Sequence, residues 1–157
     1  MKIHAIVAAF CTVLLLNISG AQAAAKISDP LVFVKSVYAT VKSGKAAPDD
    51  INTPRLNALY DLDKREAGGE VGRIDFDIWM NAQDGAISDV NVKSVPVENG
   101  AGREVVIATF RNEGKPQEIH FYFEKVKSGW LLDDAQSFLG ERWTLSLILK
   151  YGWDGKN

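Results

Sequence analysis

The apolar residues in the first part of the chain recur at helical spacing in two segments. Each segment begins with a side chain that can cap a helix followed by proline, Asp29-Pro30 in the first and Thr53-Pro54 in the second. Proline is tolerated at the first helical position, because its missing N–H would have no partner there. The pattern predicts two helices joined by a loop over residues 43–50. The residues expected on their buried faces are Leu31, Val34, Val37, Tyr38 and Val41, and then Leu56, Leu59, Tyr60 and Asp63.

After residue 86 the pattern changes from helical spacing to alternation. Four strands are predicted, over residues 87–96, 104–111, 117–127 and 130–135. The alternation slips near Lys93 and Ser94, which predicts a β-bulge at that place. The strands are joined by short turns, so they are expected to be antiparallel neighbours, since a parallel pair needs a long crossover.

Residues 139–151 at the end of the chain fit two patterns. Trp143, Leu145 and Leu147 alternate as in a strand, whereas Leu145, Ile148 and Leu149 have helical spacing, and the helix is favoured. The sequence therefore predicts an α+β fold, in which N-terminal helices pack on a curved antiparallel sheet and a short C-terminal helix follows.

Residues 1–23 have the features of a secretory signal peptide. Lys2 precedes an uncharged apolar run over residues 5–16, and Ala21-Gln22-Ala23 supplies the small residues that signal peptidase requires. The apolar run is shorter than the roughly 20 residues that cross a bilayer. We therefore predict cleavage before Ala24, a single domain over residues 24–157, and a location in the periplasm or outside the cell, without membrane attachment after cleavage.

The composition of the predicted mature chain excludes several kinds of chemistry. The only cysteine, Cys11, is lost with the signal peptide, which excludes disulfides, thiol catalysis and cysteine metal sites. The full chain has 18 basic and 20 acidic side chains, and removal of Lys2 leaves 17 basic ones, so nucleic acid is not an expected partner. His120 is the one histidine that remains, and no cofactor motif is present, so no cofactor is expected.

Residues 74–84, which join the helical part to the strand-rich part, are rich in polar and aromatic side chains. Their carboxylates are possible Ca²⁺ or Mg²⁺ ligands, but the spacing matches no EF-hand, and Asp and Asn at turns commonly bond backbone amides instead. No metal is therefore predicted. Aromatic residues mostly fill cores, so Trp130 and Trp143 are assigned to the core, whereas Trp79 is expected to contact a ligand. The predicted ligand-binding residues are Tyr38, Asp77, Trp79, Asn81, Gln83 and Asp84.

The third predicted strand has two different faces. Ile119, Phe121 and Phe123 share an apolar face, so His120 and Tyr122 share the opposite one. If the apolar face meets the helices, His120 and Tyr122 lie on the outer surface of the sheet. That surface is either simply solvated or an interface, and these two residues are its candidate interface residues.

Three segments of the chain, residues 76–84, 129–134 and 143–145, resemble a bacterial exported family described as domain of unknown function 3828. That family is similar in fold to the nuclear-transport-factor-2-like superfamily, a cone of sheet and helices with a pocket at its wide end. The resemblance covers about residues 31–151, with departures at Ile78, where proline is expected, and at Gly85, where an aromatic residue is expected. It implies no established activity and no catalytic residues, and it implies that a homodimer through the outer sheet face is possible.

Two functions from different classes are compatible with these features. The favoured one is a non-catalytic periplasmic binding module, which engages a small ligand at residues 79–84 or a periplasmic protein through its sheet, as an immunity protein would. The alternative is a cofactor-free lyase, isomerase or hydrolase that uses Asp77 or Asp84 as its acid or base. Related folds, such as ketosteroid isomerase, place such a group in an apolar cone where burial shifts its pKa.

Overall fold

A computed structural model describes residues 27–48, 50–98 and 100–153. It contains three helices and an open five-stranded antiparallel sheet, which confirms the predicted α+β class. The predicted signal peptide lies outside the described residues. In chain order the elements are α1 (Pro30–Lys42), α2 (Pro54–Ala67), β1 (Ile87–Val95), β2 (Arg103–Asn112), β3 (Lys115–Val126), β4 (Gly129–Leu139), β5 (Trp143–Thr144) and α3 (Leu145–Tyr151).

Both predicted helix starts are confirmed by their capping bonds. The carboxylate of Asp29 accepts a bond of 2.9 Å from the amide of Val32, and the hydroxyl of Thr53 accepts one of 3.2 Å from the amide of Leu56. Each bond satisfies one of the backbone donors that the first turn of a helix leaves free. Gly68 caps the C-terminus of α2, and its φ of 62° is the left-handed conformation that glycine adopts without steric cost.

The five strands are hydrogen-bonded to one another in sequence order, with β1 at one edge of the sheet and β5 at the other. The predicted position of the bulge in β1 was wrong, because the register shifts between Ser88 and Asn91. Val95 pairs with Val105 of β2, and Val105 pairs in turn with Tyr122 of β3, whose side chain lies on the outer face. The side chain of Val95 therefore also lies on the outer face. This position explains the break in the apolar alternation without a bulge at Lys93 and Ser94.

The predicted C-terminal helix is confirmed for residues 145–151, with Leu145, Ile148 and Leu149 buried. Residues 143–144 form a short strand instead, and β4 extends to Leu139, beyond its predicted end at residue 135. The outer edge of β4 is covered by three separate segments, since its backbone also bonds to Ile27 and Ile51. This arrangement holds the start of α2 beside β4.

The core lies on the sheet face formed by Ile119, Phe121 and Phe123, each at most 1% exposed. α1 contributes Tyr38, whose ring lies 6.4 Å from that of Phe121 and approaches it edge-on. The residues between α2 and β1, hereafter the central connection, contribute Trp79, which stacks on Phe121 with 4.3 Å between ring centroids. The central connection is therefore part of the core and also borders the surface clefts described next.

Candidate functional site

Two open clefts lie on either side of the central connection, and Phe76 lines both of them. The first, hereafter the Asp77 cleft, has a volume of about 710 Å³. The second, hereafter the Trp153 cleft, has a volume of about 490 Å³. The lining of the Asp77 cleft includes Asn57, Tyr60 and Lys64 of α2 together with Asp77 and Trp79. The lining of the Trp153 cleft includes Arg73, Asp75, Phe76, Gln83, Glu141 and Trp153.

Asp77 and Trp79, two predicted ligand residues, meet at the Asp77 cleft, but both are largely engaged within the protein. The carboxylate of Asp77 accepts a bond of 2.7 Å from the amide of Trp79, as Asp does in a turn. The indole of Trp79 is 5% exposed and is stacked in the core. The structure therefore places Trp79 in the wall behind the cleft, where most of its surface contacts protein.

Asn81, a third predicted ligand residue, is 8% exposed and uses its carboxamide inside the protein. The two N–H groups of its nitrogen are shared among three acceptors, Gln117 at 2.8 Å, Ser137 at 3.0 Å and the carbonyl of Glu141 at 3.0 Å. Its oxygen accepts a bond of 2.5 Å from the indole N–H of Trp143. Asn81 thus ties the central connection to β3, β4 and the residues before β5, and it forms the base of the Trp153 cleft.

Gln83 and Asp84 lie on the exposed part of the central connection. The carboxamide of Gln83 donates to Asp75 at 3.4 Å, and both side chains line the Trp153 cleft. Asp84 lines neither of the two clefts, and its backbone carbonyl accepts a bond of 3.4 Å from Asn112. Its carboxylate is therefore exposed on a turn and away from any enclosed volume near the central connection.

Tyr38, the predicted ligand residue on α1, is 2% exposed. Its hydroxyl has no hydrogen-bond partner among the described residues. Burial, with a further contribution from the charge of Asp77, raises the pKa of Tyr38 well above its ordinary value. The six predicted residues thus separate into three groups: two at the Asp77 cleft, two at the Trp153 cleft, and Tyr38 and Asp84 at neither.

Tyr60 and Lys64, on successive turns of α2, reach the Asp77 cleft from the side opposite the central connection. Burial, with smaller contributions from Asp134 and Asp63, raises the pKa of Tyr60 to about 12. The phenol therefore stays protonated at neutral pH, where it donates and accepts hydrogen bonds but does not act as a base. Helical spacing identified Tyr60 only as a buried position, and it missed Lys64.

His120 and Tyr122 lie on the outer face of the sheet, as the alternation predicts. The imidazole of His120 lies 2.7 Å from Glu118 and packs on the ring of Phe138, with 4.2 Å between centroids. The hydroxyl of Tyr122 donates to Gln136 at 3.2 Å. Phe138 is 37% exposed, so the outer face has an aromatic patch at the surface.

A polar cluster that the sequence did not predict joins α2 to β4. The carboxylate of Asp133 accepts bonds from the hydroxyl of Thr53 at 2.7 Å and from the guanidinium of Arg55 at 2.9 Å. Burial alone would raise the pKa of Asp133, but the bonds from Arg55 and Thr53 outweigh it and lower that pKa. The pair Asp133-Asp134 within an apolar strand could have indicated buried carboxylates from the sequence alone. No neighbouring residue in the sequence identified Thr53 and Arg55 as their partners.

The lowered pKa of Asp133 predicts a loss of stability in acid. A group whose pKa is lower in the folded state stabilises the fold above its unfolded pKa, near 3.8, and loses this effect as the pH falls through the folded pKa. At pH 7 we expect Asp133→Asn to lower the free energy of unfolding by about 1 kcal/mol, since Arg55 is half exposed. The difference from wild type should shrink as the pH falls below about 4.

Urea denaturation at several pH values measures this effect. Asp61→Asn, which changes an exposed carboxylate on α2, is the matched control and should follow the wild type at every pH. A difference between Asp133→Asn and wild type that stays constant down to pH 2 contradicts the assignment.

Among residues 27–48, 50–98 and 100–153, no group of three or more His, Cys, Asp or Glu side chains is arranged to hold a metal ion. Within the same residues, no helix is long and apolar enough to span a bilayer. Around the central connection the described side chains offer two open clefts, the Asp77 carboxylate bonded within its turn, and the protonated phenol of Tyr60. No protein-family model, no curated protein and no solved structure matches the chain.

Proposed function

We propose that this protein is an exported, non-catalytic binding module that takes a small ligand into the Asp77 cleft. Its location would be the periplasm or the outside of the cell, as residues 1–23 predict. We also propose that it belongs to the family of domain of unknown function 3828 and has a nuclear-transport-factor-2-like cone. The support for this kinship is the resemblance of three segments, one of which, residues 76–84, includes residues of both clefts.

The observation that carries the binding proposal is the Asp77 cleft itself. Its volume of about 710 Å³ lies within the range of roughly 300–1,000 Å³ that small-molecule sites occupy. Apolar residues such as Ile74 and Leu132 line it together with a few polar groups, among them Asn57 and Lys64. Such a lining excludes water from an apolar ligand part and orients the ligand through a small number of hydrogen bonds.

Catalysis at this cleft has less support, because Asp77 and Tyr60, two of the ionisable groups that line it, are poorly suited to move a proton. A general base must reach the proton it removes and must be free to accept it. Asp77 already accepts the amide proton of Trp79 in a hydrogen bond, and the phenol of Tyr60, with a pKa of about 12, is not a base at neutral pH. The alternative function, an enzyme that uses Asp77 or Asp84, would require the Asp77 carboxylate to leave its turn, or the Asp84 carboxylate, which lines neither cleft, to reach the substrate.

A thermal-shift screen of the purified protein tests the binding proposal. The panel contains amino acids, nucleosides, sugars and small carboxylic acids. A ligand of the cleft at roughly 100 times its Kd should stabilise the fold by about 2.7 kcal/mol. Lys64→Ala, which changes a polar group of the Asp77 cleft, should weaken this shift, whereas Lys150→Ala on α3 should leave it unchanged.

The proposal fails if no compound stabilises the wild type, or if every shift is unchanged in both Lys64→Ala and a Tyr60→Phe variant. Turnover of a stabilising compound that Asp77→Asn abolishes would favour the enzyme instead.

A protein partner on the outer sheet face is the second part of the proposal. Tyr122 and the exposed ring of Phe138 favour it, because aromatic residues are enriched at interfaces. A homodimer through this face, or an immunity-type complex with another periplasmic protein, would cover that patch. Sedimentation equilibrium that gives a monomer at all concentrations contradicts the homodimer.

A further inference from the structure

Trp153 is the most exposed of the four tryptophans, and it lines the Trp153 cleft. Its exposed fraction is 42%, whereas Trp79 and Trp143 are 5% and 1% exposed. α3 ends just before it at Gly152, where φ is 86° and the amide donates to the carbonyl of Ile148 at 2.8 Å. The chain thus turns back at glycine, and the indole meets Phe76, with 6.4 Å between ring centroids and 72° between ring planes.

From this geometry we infer that the Trp153 cleft binds the ring of an uncharged sugar, with the indole of Trp153 as the surface on which the ring stacks. This site is separate from the Asp77 cleft and does not depend on a ligand in it. An exposed indole of this size has an energetic cost in water, which a stacked ligand would relieve.

The polar rim of the cleft supports a ligand with many hydroxyl groups. Asp75, Gln83 and Glu141 are exposed and line the cleft around the two aromatic rings. Carboxylates accept hydrogen bonds, and a carboxamide both donates and accepts them. A sugar hydroxyl can serve as donor and acceptor, and the C–H groups on one face of its ring carry the slight positive charge that the negative face of an indole attracts.

The charges of the cleft argue against an anionic ligand. Asp75 and Glu141 bring two carboxylates to the rim. The guanidinium of Arg73, which also lines the cleft, is shared between Asp63 at 3.3 Å, the carbonyl of Leu149 at 3.1 Å and Glu66. A phosphate or a sugar acid would therefore meet carboxylates at the rim and a guanidinium that already has its own anionic partners.

Two other uncharged or cationic classes fit less well. A purely apolar ligand would cover the carboxylates at the rim without offering them donors, which is costly. A quaternary ammonium ion can stack on an indole and is attracted by the carboxylates, but its N-methyl groups donate no hydrogen bond to Asp75 or Glu141, and choline has only one hydroxyl. A sugar of one or two rings satisfies both the aromatic surface and the acceptors, and the volume of about 490 Å³ is sufficient for it.

The base of the cleft is held in place before any ligand arrives. Asn81 donates to the carbonyl of Glu141, so the two sides of the cleft are joined through a buried side chain. Gly140, beside Glu141, lies so close to Gln117 that a Cβ at that position would be 2.0 Å from the oxygen of the carboxamide. A site that is already ordered loses little conformational entropy on binding, which favours measurable affinity for a small ligand.

Isothermal titration calorimetry of the purified protein with cellobiose, maltose and chitobiose tests the inference. Glucose 6-phosphate and choline are the charged comparison compounds. We expect at least one of the three disaccharides to bind, and Trp153→Ala to weaken its binding by at least about tenfold. Tyr151→Ala removes another exposed aromatic ring, two residues away and outside the cleft, and should change the affinity by less than about twofold.

Four results would overturn the inference. They are the absence of binding by all three disaccharides, tighter binding of choline or glucose 6-phosphate than of any disaccharide, an unchanged affinity in Trp153→Ala, and the loss of sugar binding in Lys64→Ala with retention in Trp153→Ala. The last result would assign the sugar to the Asp77 cleft. Asp75→Asn, an exposed and nearly isosteric change, provides a second variant, and it should weaken binding if Asp75 accepts from a sugar hydroxyl.

Discussion

Asn81→Ala should lower the free energy of unfolding by about 3 kcal/mol. The substitution removes the acceptor of the buried indole N–H of Trp143, and a buried donor without a partner is costly. It also removes the donor that Gln117 and Ser137 share. In addition, Asn81 has a φ of 55°, a left-handed conformation that Asn tolerates better than alanine does.

Urea denaturation measures this cost, and Ser137→Ala is the matched control. That variant removes only one of the partners of Asn81, so we expect a cost of about 1 kcal/mol. A cost below 1 kcal/mol for Asn81→Ala would mean that the carboxamide network contributes little to the fold. If the network also orders the Trp153 cleft, Asn81→Ala should weaken sugar binding in addition to destabilising the protein, because it releases the residues before β5.

Trp79→Ala should lower the free energy of unfolding by about 3–5 kcal/mol, the cost expected when a large buried aromatic side chain is truncated. Its indole stacks on Phe121 and also contacts the rings of Phe33 and Tyr38, at 6.3 and 6.2 Å between centroids. Removal of the indole leaves a cavity where α1, the central connection and the sheet meet, and these elements can collapse into it only in part.

Trp153→Ala provides the comparison for Trp79→Ala, since it removes the same side chain from an exposed position. Its effect on the free energy of unfolding should be about 1 kcal/mol, because part of the indole is still covered by Phe76 and its neighbours. Chemical denaturation of the two variants side by side compares the contribution of a buried indole with that of a partly exposed one. If Trp79→Ala is as mild as Trp153→Ala, the indole of Trp79 contributes little to core packing, and the prediction that Trp79 contacts a ligand gains support.

The two tryptophans show why the burial of an aromatic side chain could not be predicted from its neighbours in the sequence. Trp79 lies among polar residues in the sequence, which suggested an exposed ring, yet Phe121 of β3 covers it in the structure. Trp153 follows Gly152, and no sequence pattern around it predicted that it lines a cleft. Whether an aromatic ring is covered depends on segments far along the chain, and these are not part of its local pattern.

The sequence by itself determined the three helices, four of the five strands and the faces of the sheet. Asp29 and Thr53 cap helices through amides three residues away, so the local order of residues is sufficient to predict them. Ile119, Phe121 and Phe123 lie on one face because successive side chains of a strand point to opposite sides, whatever packs against them. Properties that depend on neighbouring residues can be read from the chain alone.

Only the tertiary structure decided which polar side chains are free to bind. Arg55 and Asp133 are 78 positions apart in the sequence, and Asn81 and Trp143 are 62 positions apart, so no local sequence pattern predicts either contact. Once paired, Asn81 became part of the core and Asp77 part of a turn, while Gln83 and Asp75 remained exposed beside Trp153. A hydrogen bond needs partners within about 3 Å, and the distance between remote residues is set by the packing of the whole fold.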